Sequence, residues 1–572
     1  MKRVLCLAIA LCFASAAWRC FAELPGPWRL YSAGNGLPET GCRFVSLGGS
    51  DVYVQTLNSR LAARFDGYDW TNAAAAPPSD AFGGLFESPA GQLWIASAHG
   101  LYDWSDGEWN QHPIAEIAAF HRSVPEAAIP ICPVRQNVAI FLLPDALMQL
   151  TAEKSTPATV RALQSARDDS IGRFAGLRVA LDDGLWVSGE RGLLKISGPK
   201  RAITDRTPWR EFICPASLGV RNFRQPQSAD DDSVVCVGDA VNASNRVIVR
   251  FDGRNWSSFP VGSVPIRFAW IDSDGVIWAA TSEALYSVRK GKLTACEDLP
   301  PATIYDAVAG PQGMFWLATS EGLFCRVPQL WQPRANAPAG VFSDRMKAFV
   351  AQNGDQWSAT SAGVEWRHDR HVTVFSPSDA SAPRDAVAFI EMPDATIWCA
   401  TTEKIWSFDG HSWAALRGGF GRINAMIRAA DGSVWIASNE GVHRWSHGAW
   451  TDFGVEEGLD NPAARDVGED GLGRIWTETP RGFAVYQPEA DPDPPRTVIA
   501  ALPARERRAP QGGAINVTFS ARDKWSLTPP SRLLFSWRLD DRDWSPFDSA
   551  SIFLYRPCFQ GYCDRSARVS SM

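Results

Sequence analysis

Along most of this chain the apolar residues come in short runs rich in β-branched and aromatic side chains, cut by Asp-Gly and Glu-Gly pairs. The stretch Ile423 to Trp450 carries the pattern in full. An apolar run (Ile423 to Ile427) meets Asp431-Gly432, and Val434-Trp435-Ile436-Ala437-Ser438 follows. Asn439-Glu440-Gly441 separates that run from Val442 to Trp445, and an aromatic stretch from Trp450 to Phe453 comes after Ser446 to Gly448. Runs of this length between such turns predict a four-stranded antiparallel meander. One meander cannot bury both its faces, so its recurrence decides the fold.

The strand-turn-strand core returns around Trp94, Trp186, Trp278, Trp316, Trp357, Trp398 and Trp476, as well as Trp435. From Trp278 the intervals are 38, 41, 41, 37 and 41 residues. The two earlier intervals are both 92 residues, about twice one period, which places degenerate units at NVAIFLLPDALMQL near Phe141 and DSVVCVGDA near Val235. A further unit fits DVYVQTLNSRLAARFDG, where Tyr53 precedes Trp94 by 41 residues. About eleven units with a period near 40 and four short strands each are the signature of β-propeller blades. Eleven or twelve blades exceed the usual maximum of about eight in one ring. The expectation is therefore an all-β chain with tandem propellers, a first region over 23–265 and a second over 266–488.

The flanks differ. Met1 to Ala22 has Lys2 and Arg3 ahead of a short apolar core, Val4 to Ala14, with small residues near its end, the layout of an export signal. No later segment is long and apolar enough to cross a membrane as a helix. These features predict a periplasmic, secreted protein. At the other end 489–496 is a proline-rich acidic linker, and the alternating runs after it, over 497–572, predict a small β-sandwich.

Charge and chemistry narrow the function. The formal charge is −7, and without Lys2, Arg3 and Arg19 it becomes −10, which argues against a nucleic-acid partner. The twelve Cys are scattered singly without paired zinc spacing, and those inside strand patterns (Cys236, Cys325, Cys399) read as core residues. The chain has no GxSxG elbow, HExxH, P-loop or dinucleotide fingerprint. His368 with His371 and His443 with His447 flank turns and lack a third ligand, so they read as surface loop residues, not metal sites. No catalytic residue, metal or cofactor is expected. The repeated Trp side chains, Trp94, Trp186, Trp278, Trp316, Trp357, Trp398, Trp435 and Trp476, are expected to pack between blades, with the small residues two and three positions later allowing close approach. The variable turn after each Trp strand is where function is expected, and Glu283, Glu321, Glu403 and Glu440 are the candidate ligand-binding residues there.

Two motifs add a resemblance. Trp28 to Pro38 (WRLYSAGNGLP) is an aromatic strand running into a Gly-Leu-Pro turn, and Trp450 to Leu459 (WTDFGVEEGL) has the same shape. Together with the "DG.(I/L)W(I/L)(A/G)T..GL" core, this pattern over residues 28 to 488 resembles the two-component regulator propeller, the periplasmic sensor region of hybrid and classical histidine kinases. The run FSWRLDDRDWSPF resembles the start of the immunoglobulin-like "Y_Y_Y" domain that follows those propellers, with Trp537 where Tyr is usual. The resemblance implies extracytoplasmic ligand sensing, an oligosaccharide as the ligand class, and a homodimer through the C-terminal sandwich. Ser549 to Met572 departs from the family, lacking its later sandwich strands, membrane helix and kinase. That departure reads as truncation before the kinase. A standalone binding or scaffold propeller and a propeller lyase or hydrolase are the competing readings.

Overall fold

The computed structural model describes residues 26–572 except 126, 153–157, 230, 243–244, 274, 290, 311–312, 343–347, 377–380, 500–514, 540–542, 551, 556–566 and 572. The export-signal reading lies outside the described residues. Two compact units divide the chain between Val327 and Pro328.

The first unit holds seven four-stranded antiparallel sheets. In chain order they are sheet 1 (42–74), sheet 2 (81–113), sheet 3 (131–165), sheet 4 (174–213), sheet 5 (220–260), sheet 6 (268–295) and sheet 7 (304–326). Sheets 3 and 5 contain the degenerate units near Phe141 and Val235, and sheet 1 contains Tyr53. Sheet 7 takes its fourth, outermost strand from the beginning of the chain: Trp28–Tyr31 pairs antiparallel with Gly322–Arg326. The innermost strands of sheets 1 and 7 lie against each other. There the Val45 N–H donates to the Asp306 carboxylate at 3.1 Å. Around the same joint Tyr31 and Phe65 approach to 4.8 Å between centroids, and Trp316 packs on both. The ring is closed at seven.

That closure corrects the expected boundary at 265/266. The strand Trp28–Tyr31 can complete only the sheet that meets sheet 1, so the ring includes sheets 6 and 7 and ends at Val327.

The second unit repeats the device with four sheets: sheet 8 (348–375), sheet 9 (386–418), sheet 10 (423–453) and sheet 11 (466–486). Trp331–Arg334, just after the division, supplies the outermost strand of sheet 11. The eleven sheets therefore divide seven and four. The far face of sheet 11 (Trp476, Phe483, Val485) is covered by Ala337, Val341 and Phe342 of the connector.

Between neighbouring sheets lies one apolar layer after another, for example Trp186, Phe223, Cys236 and Phe251 between sheets 4 and 5. With both faces covered, second strands such as Leu93–Ser97, Phe315–Thr319 and Val434–Ser438 are buried at every position. This is why they read as unbroken apolar runs. The eight repeated Trp are all buried, from 0% exposure at Trp94 to 7% at Trp398. The first-to-second-strand turns reuse one geometry: in sheet 10 Ala429 N donates to Ser433 O and Gly432 N to Ala429 O, with Gly432 at φ 83. The described cysteines are free thiols, most of them buried in these layers.

Beyond sheet 11, Arg496–Ile499, Ile515–Arg522 and Ile552–Tyr555 form one three-stranded sheet, and Phe535–Leu539 pairs with Ala567–Ser571. Two strands thus come from the tail that departs from the family pattern. Phe519, Ala521, Leu533 and Phe535 form the small core.

Candidate functional site

In a four-stranded meander the turn between strands two and three and the connection to the next sheet emerge on the same rim. Backbone hydrogen bonds tie them there, as from Ile304 N to Ser282 O and Ser320 N to Thr303 O. Glu283, Glu321, Glu403 and Glu440 all stand exposed on such turns. Each belongs to a different sheet, the first two in the first unit and the others in the second.

What fixes these turns is the hydroxyl three residues after the repeated Trp. Its oxygen accepts from turn N–H groups and its proton goes to the carbonyl that closes the turn. Thr281 bonds Ala284 O at 3.3 Å, Thr319 bonds Gly322 O at 2.7 Å, and Thr401 bonds Lys404 O at 3.0 Å. Ser97, Thr360, Ser438 and Thr479 repeat the contact with Gly100, Gly363, Gly441 and Gly482. The sequence showed a small residue at this position; the hydrogen bond is the stronger reason for Ser or Thr.

The Trp side chains are held less uniformly. Trp278 Nε1 donates to Asp272 at 2.7 Å and Trp476 Nε1 to Asp470 at 2.9 Å, both from the preceding turn. Cations on neighbouring positions lie over the rings: Lys195 over Trp186, Arg326 over Trp278 and Arg444 over Trp435. The Nε1 atoms of Trp94, Trp186 and Trp357 are buried without a hydrogen-bond partner, so these rings are held by packing.

Sheet 10 contains a Ser-His-Asp arrangement. Ser438 Oγ lies 2.8 Å from His443 Nε2, and His443 Nδ1 lies 2.7 Å from Asp452 Oδ1. His443 is a buried strand residue, which corrects the surface-loop expectation; its alternation along Gly441–Ser446 turns it inward. Burial works to raise the Asp452 carboxyl, but the hydrogen bonds from His443 and Arg417 outweigh it and hold the group well below the usual range. Arg417 contacts both carboxylate oxygens, at 2.9 and 2.7 Å. The spacing matches a nucleophile, base and orienting acid, yet Ser438 is 0% exposed and already engaged with Gly441 O and the Glu440 N–H. A substrate carbonyl has no approach to it. His368 with Asp355 in sheet 8 and His112 with Asp103 in sheet 2 are similar structural pairs, at 2.6 and 2.5 Å. Among the described residues no group of three His, Cys, Asp or Glu is placed to hold a metal ion.

A further group of charged residues lies on the innermost strands of the first ring. Asp306 on the innermost strand of sheet 7 (Ile304–Ala309) is half-buried. Burial raises its carboxyl to about 6, against the backbone N–H groups of Val45 and Ala307 and the positive charges of Arg267 and Arg178. Arg178 lies on the innermost strand of sheet 4 (Phe174–Val179), and Arg267 directly precedes that of sheet 6 (Phe268–Ile271). Sheets 4 and 7 are not neighbours, so their side chains meet only across the axis. Arg43 and Arg221 are exposed near the starts of the innermost strands of sheets 1 and 5. Four cations thus lie on or beside the innermost strands of four sheets in an acidic chain. Alternation within a single strand gives no sign of this, because the axis exists only once the ring is closed.

No protein-family model matches the chain, and no curated protein does. Among solved structures it is similar to the extracellular domain of BT3049 from B. thetaiotaomicron, assigned to a hybrid two component system: 11% identity over 96% of this chain and 97% of that one, TM-score 0.38. The extracellular domain of BT4673 from the same organism, assigned likewise, gives 11% identity over 96% and 97%, TM-score 0.39. YCF48 bound to a D1 peptide covers 53% of this chain and 99% of its own, at 16% identity and TM-score 0.37. At these identities and scores the sheet order, not the likeness, carries the fold.

Proposed function

We propose that this chain is the extracytoplasmic ligand-sensing module of a two-component signalling system, and that its ligand enters the mouth of the seven-sheet ring. The observation that carries this reading is the placing of Arg178 and Asp306 on the innermost strands of sheets 4 and 7, with Arg267 directly before that of sheet 6. Charges held on rigid strands and pointed at a common space suit recognition of a small polar molecule. The propeller repeat motif supports the signalling context, and the oligosaccharide class comes from that resemblance. A hydrolase or lyase is disfavoured because the Ser-His-Asp arrangement found among the described residues is sealed inside sheet 10.

Thermal-shift titration of the full chain against a panel of neutral and acidic oligosaccharides tests the proposal. A saturable rise in the melting temperature of the first unit, without product formation, is the expected result. Turnover of a panel member would replace sensing with catalysis. A chain that binds no panel member but captures a protein partner would be a scaffold.

A further inference from the structure

Two rim turns of this chain share one backbone and differ in charge. Ser32 to Leu37 and Gly454 to Leu459 each make a single 3-10 turn closed by a left-handed glycine, Gly36 at φ 98 and Gly458 at φ 106. In both, the third residue of the turn caps it. Asn35 Oδ1 accepts the Ser32 N–H at 2.5 Å, and Glu457 Oε2 accepts the Gly454 N–H at 2.6 Å. Asn35 turns its amide back to its own strand, donating to Leu30 O at 2.9 Å. Glu457 instead offers its other oxygen to the Arg532 guanidinium, which also pairs with Glu456 at 3.1 Å. The first turn has Gly34 where the second has Glu456. Capping needs one acceptor, so the extra negative charge of the second turn serves Arg532.

Arg532 ends the short turn Pro530–Arg532 of the C-terminal sandwich, ahead of Phe535–Leu539. The sandwich has its own apolar core, Phe519, Ala521, Leu533 and Phe535, which shares no residue with the layers that bury sheets 10 and 11. It nevertheless belongs to the same compact unit. A second ion pair, Lys524 to Asp493 at 2.9 Å, ties it to the linker. Arg532 and Glu456 are partly exposed, and such pairs are weak and screened by salt. That strength suits a contact that is made and released. The rim turn runs on to Asp460, whose carbonyl accepts from Arg481 at 2.9 Å and whose carboxylate accepts from the Thr479 hydroxyl at 2.6 Å. Both partners belong to the turn between the second and third strands of sheet 11, so a shift of that rim carries the acids of Glu456 and Glu457 with it.

We infer that Glu456, Glu457 and Arg532 form an ionic latch, which holds the C-terminal sandwich against the rim turn of sheet 10 and opens without unfolding either part.

Hydrogen exchange of the full chain, read on peptides by mass spectrometry, is the test. In Arg532→Gln at low salt, peptides over 454–459 and 523–532 exchange about fivefold faster than in wild type, the factor for an exposed ionic contact of the stronger kind. Wild type in sodium chloride at about 1 M approaches the same rates, since charges are screened there beyond about 3 Å. Glu456→Gln spares the cap at Glu457 and gives a smaller acceleration. Combined with Arg532→Gln it adds nothing further, because both changes remove one shared contact. The strands Ile515–Arg522 and Val434–Ser438 keep their wild-type rates throughout. Unchanged rates over 454–459 in both single variants overturn the inference. Equal acceleration of Ile515–Arg522 also overturns it, by making Arg532 a support of the sandwich's own fold.

Discussion

The hydroxyl of Thr319 donates to the carbonyl of Gly322 at 2.7 Å, and the same oxygen accepts the N–H of Glu321 at 3.2 Å. Both ends of the turn are satisfied by one side chain, which is itself 0% exposed. Replacing it with valine keeps the shape and leaves the N–H and carbonyl without partners. Thr319→Val is expected to lower the stability of the first unit by about 1–3 kcal/mol, while Thr319→Ser, which keeps the hydroxyl, recovers most of it. Calorimetric unfolding of the full chain distinguishes the two, and equal losses in both variants would mean that the methyl matters and not the bond.

Gly322 sits at φ 139, and a Cβ added there would lie 2.4 Å from the carbonyl oxygen of Tyr31. That oxygen belongs to the strand that closes the ring. Gly322→Ala is expected to displace Trp28–Tyr31 and cost on the order of 3 kcal/mol, combining backbone strain with the clash. Limited proteolysis with N-terminal sequencing should show cleavage near residue 31 in the variant before any in wild type. Gly340→Ala, which meets no neighbour within 4 Å but shares a positive φ of 78, serves as the strain-only control.

Asp470 accepts from Trp476 Nε1 at 2.9 Å, from Arg474 Nε at 2.8 Å and from the N–H groups of Leu472 and Arg474. Burial opposes ionisation, but these donors prevail and lower its carboxyl from 3.8 to about 2. A depressed folded-state value means stability present above 3.8 and lost as the pH falls through about 2. The second unit of Asp470→Asn should be less stable at pH 7, and the gap from wild type should close by pH 2. A gap that persists at pH 2 would assign the loss to packing.

Asp306 has the opposite sign. Its folded value of about 6 lies above the ordinary 3.8, so the folded ring holds this proton more tightly than the unfolded chain. The group therefore subtracts stability as the pH rises from 3.8 to about 6, and the penalty is constant above that. Asp306→Asn keeps an oxygen acceptor for the Val45 N–H and removes the titration. The melting temperature of wild type should fall relative to this variant across that window, and parallel curves would show that the carboxyl ionises as it does in water.

Much of the architecture was legible because its repeat is dictated by local physics. A turn at Asp431-Gly432 and a fully buried strand at Val434–Ser438 write their pattern into ten residues. Even the units without Trp at Phe141 and Val235 kept the apolar run that two covered faces require. The ring boundary was not legible, since the pairing of Trp28 with Arg326 joins distant segments and leaves no local mark. The nearest signal was the aromatic strand at Trp331, directly after Val327-Pro328, which starts the second unit as Trp28 starts the first. The glutamates of the turns stand exposed on four different sheets. Arg178 is not legible in the sequence, because within its strand it is one more residue opposite a Trp, and only the ring gives its position meaning.

The joint between Val45 and Asp306 spans 261 positions. Closing so long a loop is slow, and the order of synthesis makes it strictly sequential. When the chain emerges, Trp28–Tyr31 has no sheet to join, because sheet 7 does not yet exist. An aromatic strand with an unpaired edge must stay in solution until six complete sheets have formed behind it. This strand is made long before the sheet it completes, so any protease or holding chaperone that acts on this protein during its emergence meets it unpaired.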